Sequence, residues 1–220
     1  MRRLLAALLC FSAPVFAQQP DVKYKTHDAL GCVIVKECTE DVHKITTVDQ
    51  LSEIIKDPKF LTVKDEVALL LEVINALGIE VYIASGKYFP YGIQGIYHTR
   101  YNLMILNNYY MQKAKWLLGT IRHEGWHLAQ DCMAGTLDNS LVAVIMNAEK
   151  IPEIHKYLAK KTYAENPRSI PWEQEAKWAE ATENMTVDAL KACSAGEMWK
   201  VYEPTPLTKE FLVKEGYIND

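Results

Sequence analysis

Apolar residues recur at helical spacing early in the chain and predict two helices there. The first begins at Thr47 and ends before Pro58, because proline cannot continue a helix. The second runs from Val63 to Leu77, and Gly78 stands where a C-terminal capping glycine belongs.

Three short segments rich in β-branched and aromatic residues follow, and each predicts a strand. They are Ile79–Ala84, Gly92–Thr99 and Tyr101–Leu106. The last comes just before the next helical segment, so it is a candidate edge strand beside a cleft, although an interior position in a sheet fits the same pattern.

Helical periodicity returns in the second half of the chain. It predicts helices over Tyr110–Gln130, Ser140–Asn147, Ile151–Lys161 and Trp172–Cys193. We expect an α+β fold, with a small mixed sheet in the first half packed against the helix 110–130 and the later helix 172–193.

The N-terminus has the features of a secretory signal peptide. Arg2 and Arg3 precede a mostly apolar run, and the small residue Ala17 ends it. Cleavage there removes residues 1–17 and leaves one domain, 18–220, in the periplasm or outside the cell. An uncleaved anchor is the alternative, but the run is shorter than the roughly 20 residues of a membrane span.

Charge and composition limit which classes of partner are expected. The chain is 49% hydrophobic and 24% charged, with a net charge of −4, which suits a soluble globular domain. No basic stripe stands out, so nucleic acid is not an expected partner. Stable membrane association after signal cleavage is not expected either, and the oligomeric state stays open.

Four cysteines remain after the predicted cleavage, and an even number in an exported chain suggests disulfides. Three pairings are available; the favoured one joins Cys32 to Cys38 and Cys132 to Cys193. Free buried thiols are the alternative.

The motif His123-Glu124-Gly125-Trp126-His127 carries the candidate chemistry. Two histidines four residues apart leave the same face of a helix one turn apart, so both rings can bind one zinc ion. The intervening glutamate can then act as general base toward a zinc-activated water. The motif predicts a zinc peptidase with one ion. The alternative is an ordinary helix that happens to carry two histidines.

A catalytic zinc usually has a third protein ligand, and several carboxylates compete for that role. Asp138 follows the motif, but it comes one residue early for the usual aspartate extension. Glu173, Glu175 and Glu180 lie on the later helix. That helix could also be amphipathic with a solvated acidic face.

The run from Trp172 to Glu180 resembles the glutamate helix of gluzincin-type zincins such as the ImmA/IrrE family. The resemblance covers about residues 60–190 and implies a zincin-like fold, with the glutamate before Ala176, Glu175, as third ligand. The motif and the run Pro171-Trp172-Glu173 also resemble small exported metallopeptidase-like proteins of cyanobacteria and their phages.

Further residues are candidates for supporting roles. Tyr97, His98 or Tyr163 could stabilise an oxyanion, and Asp131 could hold a ligand histidine from behind. The predicted reaction is hydrolysis of a peptide bond in a peptide or protein substrate. A cell-wall peptide amidase or a non-catalytic exported binding protein on the same scaffold are the alternatives.

Overall fold

The structure is a computed structural model that describes residues 29–34 and 41–219. The predicted signal peptide, residues 1–17, lies outside these ranges, and so does Cys38 of the predicted Cys32–Cys38 bond. Within these ranges, no helix combines the length and the apolar character that a membrane crossing requires.

The first half of the chain contains both helices and strands, and its first helix and first strand fall outside the segments that the sequence pattern predicts. The elements are α1 (Ala29–Ile34), β1 (Val42–Ile45), α2 (Val48–Ile54), α3 (Lys64–Ala76), β2 (Glu80–Ala84), β3 (Gly95–His98) and β4 (Leu103–Asn107).

Beyond β3 and β4, the described residues form helices joined by loops, and none of them forms a strand. The helices are α4 (Asn108–Met111), α5 (Ala114–Met133), α6 (Glu153–Thr162), α7 (Ile170–Ala181), α8 (Met185–Ser194), α9 (Met198–Val201) and α10 (Pro206–Lys214). Together with the sheet they confirm the α+β class.

The four strands form one mixed sheet in the order β1-β2-β4-β3. β2 pairs parallel with β4, and the two outer pairs are antiparallel. β4, the predicted Tyr101–Leu106 strand, therefore lies inside the sheet and is buried at every position. The edge strands are β1 and β3, and all four residues of β3 are partly exposed.

The main core lies on one face of the sheet. Val81 and Ile83 of β2 and Met104 and Leu106 of β4 pack there against α3, α5 and α8. A smaller cluster around Ile105 covers the opposite face. The central strands thus have two apolar faces, which explains why their sequences do not alternate with polar residues.

Two predicted helices differ in the structure. The predicted helix Ser140–Asn147 has no helical turn, because the backbone N–H groups of Ile145 and Met146 bind a buried carboxylate instead. The predicted helix Trp172–Cys193 is divided into α7 and α8, since Asn184 adopts a left-handed conformation with φ of 61°.

A disulfide joins Cys132 to Cys193, as predicted. It connects the last turn of α5 to the last turn of α8. The chain that it closes spans a sequence separation of 61 residues. Because cross-linking removes conformations from the unfolded chain, such a bond stabilises a domain by about 4 kcal/mol.

The close approach of α8 to α5 depends on Gly125, the middle residue of the histidine motif. A Cβ atom at this position would lie 2.8 Å from the Cγ2 atom of Thr186. The Thr186 hydroxyl donates a hydrogen bond of 2.8 Å to the Arg122 carbonyl oxygen. This hydrogen bond joins α5 and α8 at this point of close approach. A side chain on residue 125 would push the two helices apart there.

We expect Gly125→Ala to lower the free energy of unfolding by about 1–2 kcal/mol, because overpacking outweighs the better helix propensity of alanine. Urea denaturation measures the change. Adding Thr186→Ser removes the clashing methyl group and keeps the hydroxyl, so it should restore part of the loss. Equal stability of native protein and Gly125→Ala would contradict the packing argument.

Candidate metal centre

α5 presents both motif histidines on one face. Their ring centroids lie 4.9 Å apart, and His123 has an exposed fraction of only 7%. The spacing of four residues along a helix produces this arrangement. The sequence prediction that the two rings lie together is confirmed.

Glu173, on the first turn of α7, brings a carboxylate to the two rings. Its Oε2 atom lies 3.3 Å from His123 Nε2 and 3.7 Å from His127 Nε2. One ligand atom from each of the three residues lies within 4.8 Å of the other two. Two imidazoles and a carboxylate thus converge on one point.

The donor set of this group fits a metal ion. Glu173 Oε2 is buried and has no partner of hydrogen-bond geometry among the described residues. A buried carboxylate is costly unless a positive charge neutralises it, and a bound metal ion or a proton on the rings can supply that charge. His123, His127 and Glu173 could therefore hold a metal ion.

Glu175, which the family resemblance implies as third ligand, lies elsewhere. Its side chain points away from the two rings and is completely buried. It accepts hydrogen bonds from Trp126 Nε1 at 3.2 Å, from Gln130 Nε2 at 2.7 Å and from two backbone N–H groups. Two residues along a helix correspond to a rotation of about 200°, so Glu173 and Glu175 cannot face the same point.

The remaining candidates for the third ligand, Asp138 and Glu180, do not lie beside Glu173 at the two rings. Asp138 is exposed in the turn region beyond α5. Glu180 lies on the same face of α7 as Glu173, seven residues on, and its Oε2 atom is 3.5 Å from His123 Nδ1. It therefore stands behind the ring, on the side away from Glu173, where carboxylates commonly support a ligand histidine.

The electrostatics of the centre are dominated by these carboxylates. Burial alone would lower the pKa of His123, but Glu173 and Glu180 outweigh it and raise that pKa to about 9. The same rings hold the pKa of Glu173 well below its usual range, against the effect of burial. Metal binding at His123 therefore competes with a proton, so we expect it to weaken in acid.

Glu124 is held at the edge of the sheet. Its Oε2 atom accepts a hydrogen bond of 2.8 Å from the backbone N–H of Tyr97 in β3. β3 can approach this closely because Gly95 has no side chain: a Cβ atom there would lie 2.6 Å from Thr120 Cγ2 and 3.0 Å from Glu124 Cγ. The glutamate of the motif is thereby fixed between the metal group and the edge strand.

Of the residues predicted to support the site, Tyr163 lies beside it. Its hydroxyl contacts Glu173, and burial together with that carboxylate raises the pKa of the phenol. The Tyr97 hydroxyl instead donates to Asp131 Oδ2 at 2.7 Å. Asp131 therefore supports Tyr97 under β3 and does not contact the metal group as expected. His98 packs against Tyr101, with ring centroids 5.1 Å apart.

Gln130, which the sequence reasoning did not include, contacts His127. Its Oε1 atom lies 2.8 Å from His127 Nδ1. The signal for it is its position, three residues after His127, because residues three apart are neighbours on a helix.

Comparison of this chain with family models, with curated proteins and with solved structures finds no match.

We expect Glu173→Gln to weaken zinc binding by more than the roughly 10–100-fold that the loss of an outer-shell partner costs. The amide removes the negative charge that faces both rings. Competition with a chelator measures the affinity. Glu183→Gln, an exposed carboxylate just beyond α7, is the matched control and should leave the affinity unchanged. Undiminished binding by Glu173→Gln would remove Glu173 from the ligand set.

The burial of Asp131 leads to a prediction about how the free energy of unfolding depends on pH. Burial raises its pKa to about 7, above the roughly 3.9 of an unfolded chain. A raised carboxyl pKa stabilises the fold below the unfolded value, and this contribution is lost as the pH rises through about 7. The advantage in unfolding free energy of the native chain over Asp131→Asn should therefore shrink from pH 4 to 7 and stay constant above about pH 8.

Urea denaturation of both metal-free proteins across this pH range measures the difference. A difference that does not change with pH would mean that Asp131 ionises at its ordinary pKa in the folded protein.

Proposed function

We propose that this chain is an exported zinc peptidase of zincin type that hydrolyses peptide bonds with Glu124 as general base. The observation that carries the proposal is the convergence of His123, His127 and Glu173 beside a glutamate that is held at an edge strand. The signal-like residues 1–17 and the Cys132–Cys193 disulfide support export, because disulfides persist in oxidising compartments.

The donor set supports zinc as the metal. Zinc prefers four tetrahedral ligands from nitrogen, sulfur and oxygen, with bonds of about 2.0–2.1 Å to histidine, which separates neighbouring donor atoms by roughly 3.3 Å. The oxygen of Glu173 lies 3.3 and 3.7 Å from the two histidine nitrogens. Three protein ligands also leave one position open, as catalytic sites require, whereas structural sites use four.

Bound zinc supplies an acidified water and polarises the target carbonyl. The protein supplies the proton transfer. Because the Tyr97 N–H engages Glu124 Oε2, the Oε1 atom remains to accept the proton of the attacking water and to return it to the leaving amine. Tyr163, beside Glu173, is the remaining candidate to donate a hydrogen bond to the developing oxyanion.

The edge strand supports a peptide as substrate. The Tyr97 N–H points away from β4, toward Glu124, so the backbone of Gly95, two residues earlier, also faces outward. An extended peptide can pair with such an edge as an added strand. Glu124 contacts the same edge, which brings the base close to the backbone of a peptide bound there.

Glu124→Gln tests the function. We expect one zinc per chain in both proteins, with hydrolysis of a peptide library reduced by roughly 10²–10⁴-fold in the variant, because the amide cannot accept the proton. Glu72→Gln, an exposed residue of α3, is the control and should keep full activity.

The same assay separates the alternatives. Zinc binding with cleavage of cell-wall peptides alone would favour the amidase, and zinc binding without hydrolysis of either substrate would favour a binding scaffold. Absence of zinc after metal-replete purification would overturn the proposal.

A further inference from the structure

Gln130 lies at the centre of a buried hydrogen-bond chain behind His127. Its side chain has an exposed fraction of 0%. The Nε2 atom donates to the Trp172 carbonyl oxygen at 3.1 Å and to Glu175 Oε2 at 2.7 Å, while Oε1 lies 2.8 Å from His127 Nδ1. Every polar atom of the amide therefore has a partner.

These partners fix which way the amide faces. A carbonyl oxygen and a carboxylate only accept hydrogen bonds, so the NH₂ group must point toward Trp172 and Glu175. The amide oxygen must then face His127. Reversing the amide would place its oxygen against two acceptors inside the protein, which costs the full desolvation penalty of unpaired groups.

The carboxylate that determines this orientation is itself immobile. Glu175 accepts from Trp126 Nε1 at 3.2 Å and from the Ile145 N–H at 3.1 Å, and the Met146 N–H binds its other oxygen. α5, α7 and the segment after α5 thus all hold Glu175, and through it Gln130.

An amide oxygen facing Nδ1 requires a proton on that nitrogen. In a neutral imidazole the other nitrogen then carries the lone pair, and the hydrogen bond at one nitrogen decides the state of the other. His127 Nε2 is the atom that lies 3.7 Å from Glu173 Oε2. The lone pair is therefore directed at the point where the candidate ligands converge.

We propose that Gln130 and Glu175 act together as positioning residues that hold His127 as the Nδ1–H tautomer, with Nε2 free to bind the metal. The metal-binding part of this inference rests on the proposed function, whereas the tautomer does not. It also gives Glu175 a role in the site, as a residue that acts through Gln130 and not as a ligand.

Nitrogen NMR of the metal-free protein tests the tautomer directly, at a pH raised until the ring ¹⁵N shifts report a neutral imidazole. Ring ¹⁵N shifts and couplings distinguish the two neutral tautomers, so the native protein should show His127 with the proton on Nδ1. Gln130→Leu should introduce the Nε2–H form. His123, whose Nδ1 faces Glu180, is the internal control and should not change.

Zinc affinity is the second readout. We expect Gln130→Leu to bind zinc roughly 10–100-fold more weakly, as measured losses of outer-shell partners indicate. In Gln130→Glu the oxygen that faces the Trp172 carbonyl and Glu175 must keep its proton, because both partners only accept. Its other oxygen still accepts from Nδ1–H, so this variant should retain the Nδ1–H tautomer and most of the affinity. A merely structural role would instead weaken zinc binding in both variants in proportion to their lost thermal stability.

A native His127 with its proton on Nε2, or a Gln130→Leu spectrum without tautomer change, would overturn the inference. If Gln130→Leu does not fold, the native spectrum and Gln130→Glu decide the question. Failure of the proposed function appears differently, as absent zinc or absent hydrolysis in a protein whose His127 still carries its proton on Nδ1.

Discussion

Close antiparallel packing of α5 against α7 brings together the residues of the candidate metal centre. Glu180, near the end of α7, lies beside Gly119 and His123, whereas the Trp172 carbonyl near its beginning contacts Gln130. Small side chains permit this distance: Ala176 and Ala179 are completely buried between the helices. Larger residues there would separate the histidines from their carboxylate, and no local interaction of α5 could compensate.

The sequence predicted the part of the site that depends on one helix. His123, Glu124 and His127 need only the period of α5, so their relation follows from the motif alone. The third ligand depends on how α7 is rotated against α5, which no local pattern specifies. The family resemblance favoured Glu175, and the structure brings Glu173 to the rings. The spacing of Glu173 and Glu180 is the better indication of which carboxylates face the histidines, because residues seven apart lie on one helical face.

The fold likewise combines elements set by local apolar spacing with elements set by contacts between distant parts of the chain. Because apolar spacing reflects burial, periodicity predicted the helical segment around Thr47 and three of the four strands of the sheet, but not β1. It failed for residues 140–147, where Glu175 takes backbone N–H groups that a helix would have used. It also missed the break at Asn184, and it left open whether β4 lies at an edge or inside the sheet. The lost helix and the position of β4 both depend on partners elsewhere in the chain.

The separation of the ligands along the chain has a consequence for when the centre can exist. His123 and His127 are synthesised before Glu173 and Glu175. Until α7 has emerged and docked, the two histidines lack their carboxylate, and Gln130 lacks the acceptors that orient it. A site whose ligands meet only in the folded state binds its metal only then. The group of candidate ligands is therefore assembled only once α7 has packed against α5, and an unfolded chain lacks it.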